Sequence, residues 1–337
     1  MRARNRRAAS NAAFLTRKPV RIHIVTTVSE ARRYLKRGWC PVECSFGATS
    51  VVDNLQMDHH GSLSHLEGVA VRAYRDHFGA RRGDPRFLGV GMPDEDWSFA
   101  VASLCGVLPH PSLVDSLDGA PAEIRDIWSR DFSLVAQIVN EVDTDPTRAS
   151  RLLEDHWGKL VLAWRLLTNA RVWDEIAFHE AVARWRTLLT QRNYELAKVA
   201  PSLLEARLEE VRSAPTVQVS EHVALIDCSL WGFSSVYVAE WHKIAPIVLC
   251  YYGDFVQLDR GRVTVCARGR DVAEDLLGEG GLKRIYPRLR PSGWGGREDI
   301  GGSNRERPLS RDQARQAAES TARFVERRLR SRKGGAK

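Results

Sequence analysis

The sequence has no long hydrophobic run. No apolar stretch in its 337 residues approaches the ~20 residues that a helix needs to cross a bilayer. The basic N-terminus is also not followed by the apolar core of a secretory signal. We therefore predict a cytoplasmic protein with no membrane partner.

The sequence also has no closely paired cysteines. Its six cysteines are scattered, and none belongs to a C-x-x-C pair. Cys40 and Cys44 alone lie near each other, and their spacing is only a weak indication of zinc. We expect buried, reduced thiols, which are typical of cytoplasmic proteins.

Acidic residues are nearly missing from both ends of the chain. Residues 1–28 carry seven Arg/Lys and no acid, and residues 323–337 carry seven Arg/Lys with Glu326 as their single acid. The net charge of +8 therefore comes from the ends, because the sequence between them is net acidic. Such tails could bind RNA or an anionic surface weakly, or could simply be solvated. The N-terminus also has the composition of a transit peptide.

Three side chains able to bind a metal follow an apolar run. Val51–Met57 has the pattern of a strand, and Asp58, His59 and His60 come directly after it. Open α/β sheets bind ligands at the carboxyl ends of their strands. Carboxylate and imidazole suit manganese, zinc or iron better than calcium. The alternative is a surface loop that contains two histidines.

A second strand followed by acidic residues predicts that two such clusters face each other. Phe87–Met92 has the pattern of a strand, and the acidic run Asp94–Asp96 lies between it and a helical pattern. Carboxylates at two neighbouring strand ends can hold one or two cations. The same acids could instead cap the helix. Asp143 and Asp145 could add a carboxylate or form a turn before Pro146.

The order of the elements predicts an α/β protein with a parallel-sheet N-terminal domain, a helical connector and a smaller α/β C-terminal domain. We assign residues 1–19 to a flexible basic arm, 20–149 to the first domain, 150–218 to the connector and linker, 219–330 to the second domain and 331–337 to a basic tail. The predicted strands are Val20–Thr26, Pro41–Phe46, Val51–Met57, Phe87–Met92, Val223–Asp227, Val236–Ala239, Ile247–Tyr252, Phe255–Leu258 and Arg262–Ala267.

A glycine-rich segment near the C-terminus could bind an anion. Glycines flank Arg297 in the segment 293–304. Glycine allows close approach of the backbone and leaves N–H groups accessible, which suits a phosphate. The alternative is a flexible loop.

Together these motifs resemble the DHH phosphoesterase superfamily. The triplet Asp58-His59-His60 resembles the family signature. The region 222–330 is similar to the DHH-associated C-terminal domain, through Val263–Arg268 and the later glycine pairs. The resemblance implies manganese- or magnesium-dependent hydrolysis of phosphodiesters or phosphoanhydrides. Substrates of this superfamily include short oligonucleotides, cyclic dinucleotides, nucleotide bisphosphates and polyphosphate.

The motif order differs from that of the family. The family motif His-x-x-Pro-Asp-x-Asp precedes the triplet, whereas nothing like it lies in residues 20–57. The segment Val90–Asp96 matches this motif except that Val90 replaces the histidine. We therefore expect a divergent member with rearranged motifs, in which His65, His110 or Asp53 could replace the missing ligand.

The resemblance assigns roles to individual residues. As metal ligands it implies Asp58, His59, Asp94 and Asp96, completed by Asp143 or Asp145, and it makes His60 a general acid or a group that orients the phosphate. The residues expected to clamp the substrate are Arg268, Gly295, Gly296, Arg297, Gly302 and Ser303. The expected partner is a nucleotide or short oligonucleotide, with weak RNA contact through the tails, and the sequence leaves a homodimer open. The competing hypotheses are a nucleotide- or RNA-binding regulatory protein with weakened catalysis and a protein that binds RNA through its tails alone.

Overall fold

The structure is a computed structural model that describes residues 18–47, 49–91, 93–110, 132–144, 172, 174–190, 194–230, 233, 235–253 and 260–334. These residues form a mixed α/β fold with one parallel sheet, one mixed sheet and a small hairpin, as predicted at the level of fold class. None of the helices among them combines the length and the apolar character needed to cross a membrane.

The N-terminal half is built on a three-stranded parallel sheet. Its elements are β1 (Arg21–Val25), α1 (Val28–Leu35), β2 (Cys40–Pro41), β3 (Ser45–Phe46), β4 (Thr49–Ser50), α2 (Val69–Arg75), β5 (Arg86–Val90), α3 (Glu95–Cys105), α4 (Phe132–Thr144) and α5 (Glu175–Thr190). Strand β5 lies between β1 and β2. Both faces of β5 are covered, and its residues Phe87, Leu88 and Val90 are buried. A strand covered on both faces is expected to be almost wholly apolar, as β5 is.

Helix α3 occupies the centre of the N-terminal core. All its residues from Asp96 to Cys105 are buried, because α2, α4 and α5 pack around it. The sequence defines both of its ends: Oδ1 of Asp94 accepts the N–H of Trp97, and Gly106 takes a φ of 63° at the C-terminus. The first turn of α3 therefore lies just beyond the carboxyl end of β5.

The C-terminal half contains a six-stranded mixed sheet with the order β10-β11-β9-β8-β7-β6. Within it, β7 and β8 are parallel and the other neighbours are antiparallel. The elements of this half are α6 (Tyr194–Arg212), β6 (Thr216–Gln218), β7 (Val223–Asp227), α7 (Ser235–Trp241), β8 (Ile247–Gly253), β9 (Gly261–Ala267), α8 (Arg270–Leu277), β10 (Gly295–Gly296), β11 (Ile300–Gly302) and α9 (Arg311–Gly334).

The two halves share an apolar core. One face of the six-stranded sheet packs against α8 and α9 through residues such as Leu249 and Ala318. Residues on the other face, including Ile226 and Val248, belong to the same cluster of buried side chains as the N-terminal core. Trp241 in α7 is part of that cluster, and its Nε1–H donates to the carbonyl of Val211 in α6 at 3.1 Å. The described part of the connector is therefore packed into the core along with both sheets.

Two predicted strands are wrong. Val51–Met57 has no strand structure, because Oδ1 of Asp53 accepts the N–H of Leu55 at 3.1 Å and Gln56 takes a left-handed φ of 51°. Val236–Ala239 lies in α7 instead. The predicted strand Phe255–Leu258 lies outside the described residues.

Other local predictions are confirmed. Strands β1, β5, β7, β8 and β9 agree with predicted strands to within two residues at either end. Pro41–Phe46 is split between β2 and β3, with an irregular turn between them. All six cysteines are buried and free. Sγ of Cys40 donates to Oδ2 of Asp53 at 3.2 Å.

The N-terminal half touches the C-terminal half through closely packed backbone. The N–H of Val28 donates to Oε1 of Glu306 at 2.8 Å. Gly47 has a φ of 66°, and a side chain at this position would overlap the carbonyl oxygen of Gly293. This contact therefore requires glycine for two reasons, its backbone conformation and the lack of space.

We predict that Gly47→Ala lowers the free energy of unfolding by roughly 2 kcal/mol, through the left-handed conformation and the overlap with Gly293. Urea denaturation measures this change. Gly83→Ala is the matched control, because Gly83 has open space around it and no left-handed φ. The control should stay within about 0.5 kcal/mol of the wild type. Equal stabilities for the two variants would contradict the packing described here.

Candidate metal centre and cleft

Arg72 holds the Asp58-His59-His60 segment in the absence of strand pairing. Its buried guanidinium donates to the carbonyls of Gln56 at 2.7 Å, Asp58 at 2.8 Å and Glu67 at 2.7 Å. Hydrogen bonds of this kind are what make a buried guanidinium tolerable. Sequence reasoning did not identify Arg72, although an arginine inside the apolar helix α2 was the available signal.

Four side chains from separate segments converge at the carboxyl edge of the parallel sheet. Glu43 follows β2, Asp96 lies in the first turn of α3 after β5, and Asp143 is at the end of α4. Nδ1 of His59 is 3.3 Å from Oε1 of Glu43, and its Nε2 is 2.9 Å from Oδ2 of Asp143. One ligand atom from each of the four residues fits within a distance of 4.8 Å. We call these residues the acidic cluster.

The acidic cluster carries surplus negative charge. Burial and the neighbouring carboxylates Asp96 and Asp143 raise the pKa of Glu43 well above its usual range. Burial and Asp143 raise the pKa of Asp96 in the same way. Burial also favours protonated Asp143, but His59 outweighs it and lowers the pKa of Asp143 to about 2. Burial lowers the pKa of His59, whereas Asp143 raises it, and the net shift is upward.

The donor set fits a divalent cation. Four buried polar atoms of the acidic cluster have no hydrogen-bond partner among the described residues: Oε1 of Glu43, Nδ1 of His59, Oδ2 of Asp96 and Oδ2 of Asp143. A buried polar atom without a partner costs about 1–3 kcal/mol. A cation would satisfy these atoms and replace the protons that the carboxylates otherwise retain. Three carboxylates and one imidazole are ligands that small divalent metals accept.

A second group of metal-capable side chains overlaps the first. Ligand atoms of Glu43, His59 and His60 also fit within 4.8 Å of one another, and the two histidine rings stack with centroids 4.5 Å apart. Glu43 and His59 belong to both groups, so the two groups overlap at one place.

Asp58 belongs to neither group and instead orients His60. Its Oδ1 accepts Nδ1–H of His60 at 2.8 Å and the backbone N–H of His60 at 2.9 Å. Ser50 donates to the other oxygen. Burial would raise the pKa of Asp58, but His60 and Ser50 outweigh it and lower the pKa to about 2. The neutral His60 ring therefore keeps its proton on Nδ1 and leaves Nε2 unprotonated.

The acidic cluster opens into a cleft of about 760 Å³ between the two halves. His60 lines this cleft, and so does Asp94. The C-terminal half contributes four arginines and two aromatic side chains to the same cleft: Arg207, Arg262, Arg297, Arg305, Phe233 and Tyr252. Metal-capable groups thus share one cleft with several guanidinium groups.

The glycine-rich segment is a hairpin that lines the cleft. Gly295 pairs with Gly302, and Gly296 pairs with Gly301. The N–H of Arg297 donates to the carbonyl of Ile300 at 2.7 Å, so this N–H is not accessible to an anion. Strand β10 is at the edge of the sheet, where backbone groups on its outer side are unpaired.

Besides Asp58, the predicted metal ligands fall into three groups: those in the acidic cluster, one outside it, and one outside the described residues. His59, Asp96 and Asp143 meet in the acidic cluster, whereas Asp94 caps α3 and stays outside both metal-capable groups. Asp145 lies outside the described residues. None of the alternative ligands His65, His110 and Asp53 joins either group.

Five of the six predicted substrate-binding residues line the cleft, and one does not. The cleft is lined by Gly295, Gly296, Arg297, Gly302 and Ser303, and within this set Oγ of Ser303 accepts the N–H of Val263 at 3.0 Å.

Arg268 does not line the cleft. Its Nη2 donates to the carbonyl of His242 at 3.0 Å.

Sequence reasoning missed Glu43. It lies between β2 and β3 and is 9% exposed. Its flanking residues Val42 and Cys44 are also buried. A charged residue inside an otherwise buried apolar run was the signal that could have identified it.

Comparison with known proteins yields no relative: no model of a protein family matches the chain, and no curated protein sequence matches it.

We predict that Asp96→Asn raises the stability of the metal-free protein by about 1 kcal/mol, because burial and Asp143 raise the pKa of Asp96, so that it must take up a proton on folding at neutral pH, a cost that asparagine does not have. The variant keeps Oδ1, which accepts the N–H of Ala70 at 3.0 Å. Thermal unfolding in chelator measures this gain. In Mn²⁺ the variant should lose most of the stabilisation that the wild type gains. Lower stability in chelator together with an undiminished Mn²⁺ effect would contradict the charge balance of the acidic cluster.

Proposed function

We propose that this protein is a divalent-metal-dependent phosphoesterase that hydrolyses a phosphodiester or phosphoanhydride of a nucleotide or short oligonucleotide. The observation that carries the proposal is the acidic cluster, with its unpartnered buried oxygens, in the same cleft as several arginines. Clefts that combine carboxylates, imidazoles and guanidinium groups suit charged phosphate esters.

In this proposal the acidic cluster holds one cation, and His60 stays free for proton transfer. Mn²⁺ is the preferred ion and Mg²⁺ the alternative, since carboxylate ligands suit both and imidazole favours manganese. When bound, such a cation supplies a Lewis acid that polarises phosphoryl oxygens and acidifies water.

His60 is the proposed proton-transfer residue. Its Nδ1–H is held by Asp58, so proton exchange takes place at Nε2. His60 takes up a proton from solvent at Nε2. Water attacks phosphorus and releases a proton to solvent, the bond from phosphorus to the leaving oxygen breaks, and His60 passes its Nε2 proton to that oxygen. Asp58 keeps the ring in place and stabilises its positive charge.

The arginines and the hairpin are the proposed substrate-binding groups. Arg297 and Arg305 line the cleft near the acidic cluster, close enough that Arg297 contributes to lowering the pKa of Asp143. One guanidinium group can donate two parallel hydrogen bonds to two oxygens of a phosphate. Phe233 and Tyr252, with ring centroids 6.3 Å apart, offer apolar faces for a base.

The resemblance to the DHH superfamily enters the proposal in a corrected form. The triplet would contribute His59 to metal binding and His60 to proton transfer, while Asp58 supports His60. The second motif would contribute Asp96. Glu43, which joins both metal-capable groups, would provide the ligand that is lost where Val90 replaces the motif histidine.

The first experiment measures Mn²⁺ binding by calorimetry and hydrolysis of a substrate panel. The panel contains a dinucleotide, a cyclic dinucleotide, a nucleotide bisphosphate and polyphosphate. We expect Mn²⁺-dependent cleavage of at least one nucleotide substrate. Asp143→Asn should weaken Mn²⁺ binding at least about tenfold and abolish cleavage, because it removes a charged ligand from the cluster.

Asp94→Asn is the matched control, because asparagine also caps helices well and Asp94 lies outside the acidic cluster. It should bind Mn²⁺ like the wild type. Loss of binding in Asp94→Asn alone would reassign the ligands. A wild-type protein that binds Mn²⁺ but cleaves nothing would support the regulatory nucleotide-binding alternative, and one that does neither would refute the metal site.

The role of His60 has its own test. His60→Gln should lower kcat by about 10²–10⁴-fold, the usual contribution of a proton-transfer group, while Mn²⁺ affinity at the acidic cluster changes only a few-fold. His65→Gln is the control, since His65 is not part of either metal-capable group. A His60→Gln enzyme with wild-type kcat would exclude the proton-transfer role.

A further inference from the structure

A second pocket, of about 440 Å³, lies against the terminal helix α9. It is lined by arginines together with an aromatic ring and a serine: Arg284, Arg288, Phe324, Arg327, Arg328, Ser331 and Arg332. We call it the arginine pocket. None of these residues lines the cleft that contains the acidic cluster, so the arginine pocket is a separate site.

Most arginines of this pocket lack a carboxylate partner of the kind that other arginines on α9 have. Elsewhere on the helix, Arg315 and Arg323 pair with Glu319, and Arg330 pairs with Glu326. Inside the pocket, Arg332 pairs with Asp275 at 2.7 Å. The other pocket arginines, namely Arg284, Arg288, Arg327 and Arg328, have no carboxylate within ion-pair distance in the part of the chain that the structure describes.

Packing holds three of the four unpaired guanidinium groups, those of Arg284, Arg288 and Arg328, close together. Those of Arg284 and Arg288 lie over the ring of Phe324, with Cζ 5.9 Å and 5.1 Å from its centroid. Those of Arg284 and Arg328 both approach Gly278 so closely that a side chain there would overlap them. Nε of Arg328 is buried and has no hydrogen-bond partner among the described residues. Like charges this close repel one another unless an anion lies between them.

We propose that the arginine pocket binds the phosphate groups of a nucleic acid strand. Four unpaired positive charges exceed what one phosphate, with at most two negative charges, can neutralise. A ligand with several phosphates in succession is therefore the better match. All the cations are arginines, whose planar donor pairs suit phosphate oxygens. Weak RNA contact was expected from the charged tails, but this site also uses Arg284 and Arg288, which lie outside them.

A membrane surface fits the arginine pocket less well. A helix that binds a bilayer presents an apolar face to the lipid, whereas α9 buries its apolar residues, such as Ala318 and Val325, in the core. The large hydrophobic side chains exposed in the described part of the chain all lie elsewhere: Val52, Ile176, Val217, Leu230 and Ile244.

The test measures binding of a fluorescent oligothymidylate to the full chain by anisotropy, in chelator so that no cleavage occurs. The double variant Arg288→Gln with Arg327→Gln should weaken binding at least about tenfold. For this variant, the slope of log K against log salt concentration should become shallower by about 1.4, because two phosphate contacts are lost. Arg284→Gln alone should also weaken binding.

The matched control is Arg323→Gln with Arg330→Gln, which removes the same charge from exposed, already paired arginines on the same helix. It should change affinity less than about threefold, since exposed ion pairs contribute little. Circular dichroism verifies that both double variants fold. Equal losses in the two double variants, or no binding by the wild type, would overturn the proposal. It would also be overturned if inorganic phosphate at equal phosphate concentration displaced the strand, or if phosphatidylserine vesicles bound in its place. The result is independent of hydrolysis at the cleft.

Discussion

Repulsion among Glu43, Asp96 and Asp143 around the single imidazole of His59 is the constraint on which the N-terminal half depends. Within the described part of the chain, His59 and bound protons are the main groups that neutralise these buried carboxylates, and Arg297 contributes at Asp143. Such an arrangement is costly unless a cation occupies it. The surrounding structure keeps the groups together at this cost: helix α3 is buried on all sides, and Arg72 fixes the backbone beneath the histidines.

The two halves are joined by a shared apolar core, which fixes the width of the cleft. A cleft between loosely tethered domains would let the arginines move away from the acidic cluster. Here the connector helix α6, helix α7 and one face of the second sheet share the apolar core of the N-terminal half. Gly47 and Val28 add direct contacts close to the cleft. The separation of the two charged walls is therefore set by side-chain packing.

Periodicity predicted most of the strands correctly and placed the acidic residues directly after β5, because an apolar run and a helix cap fix the chain there. It failed at Val51–Met57, where the side chain of Asp53 and the left-handed Gln56 override the apolar pattern. The choice between Asp94 and Asp96 was also beyond the sequence, since either can cap a helix and only the geometry of its first turn points Asp96 inward. Glu43 was missed because a ligand on a short irregular turn has no periodic signal.

The wide spacing of the acidic cluster along the chain has a consequence for biosynthesis. Its members lie at positions 43, 59, 96 and 143, and each reaches the site only when the elements around it have packed. A nascent chain cannot complete the site until Asp143 has left the ribosome and α4 has docked. In the proposed function, a cation would therefore enter a scaffold that has already formed, unlike the metal that templates the folding of a zinc finger.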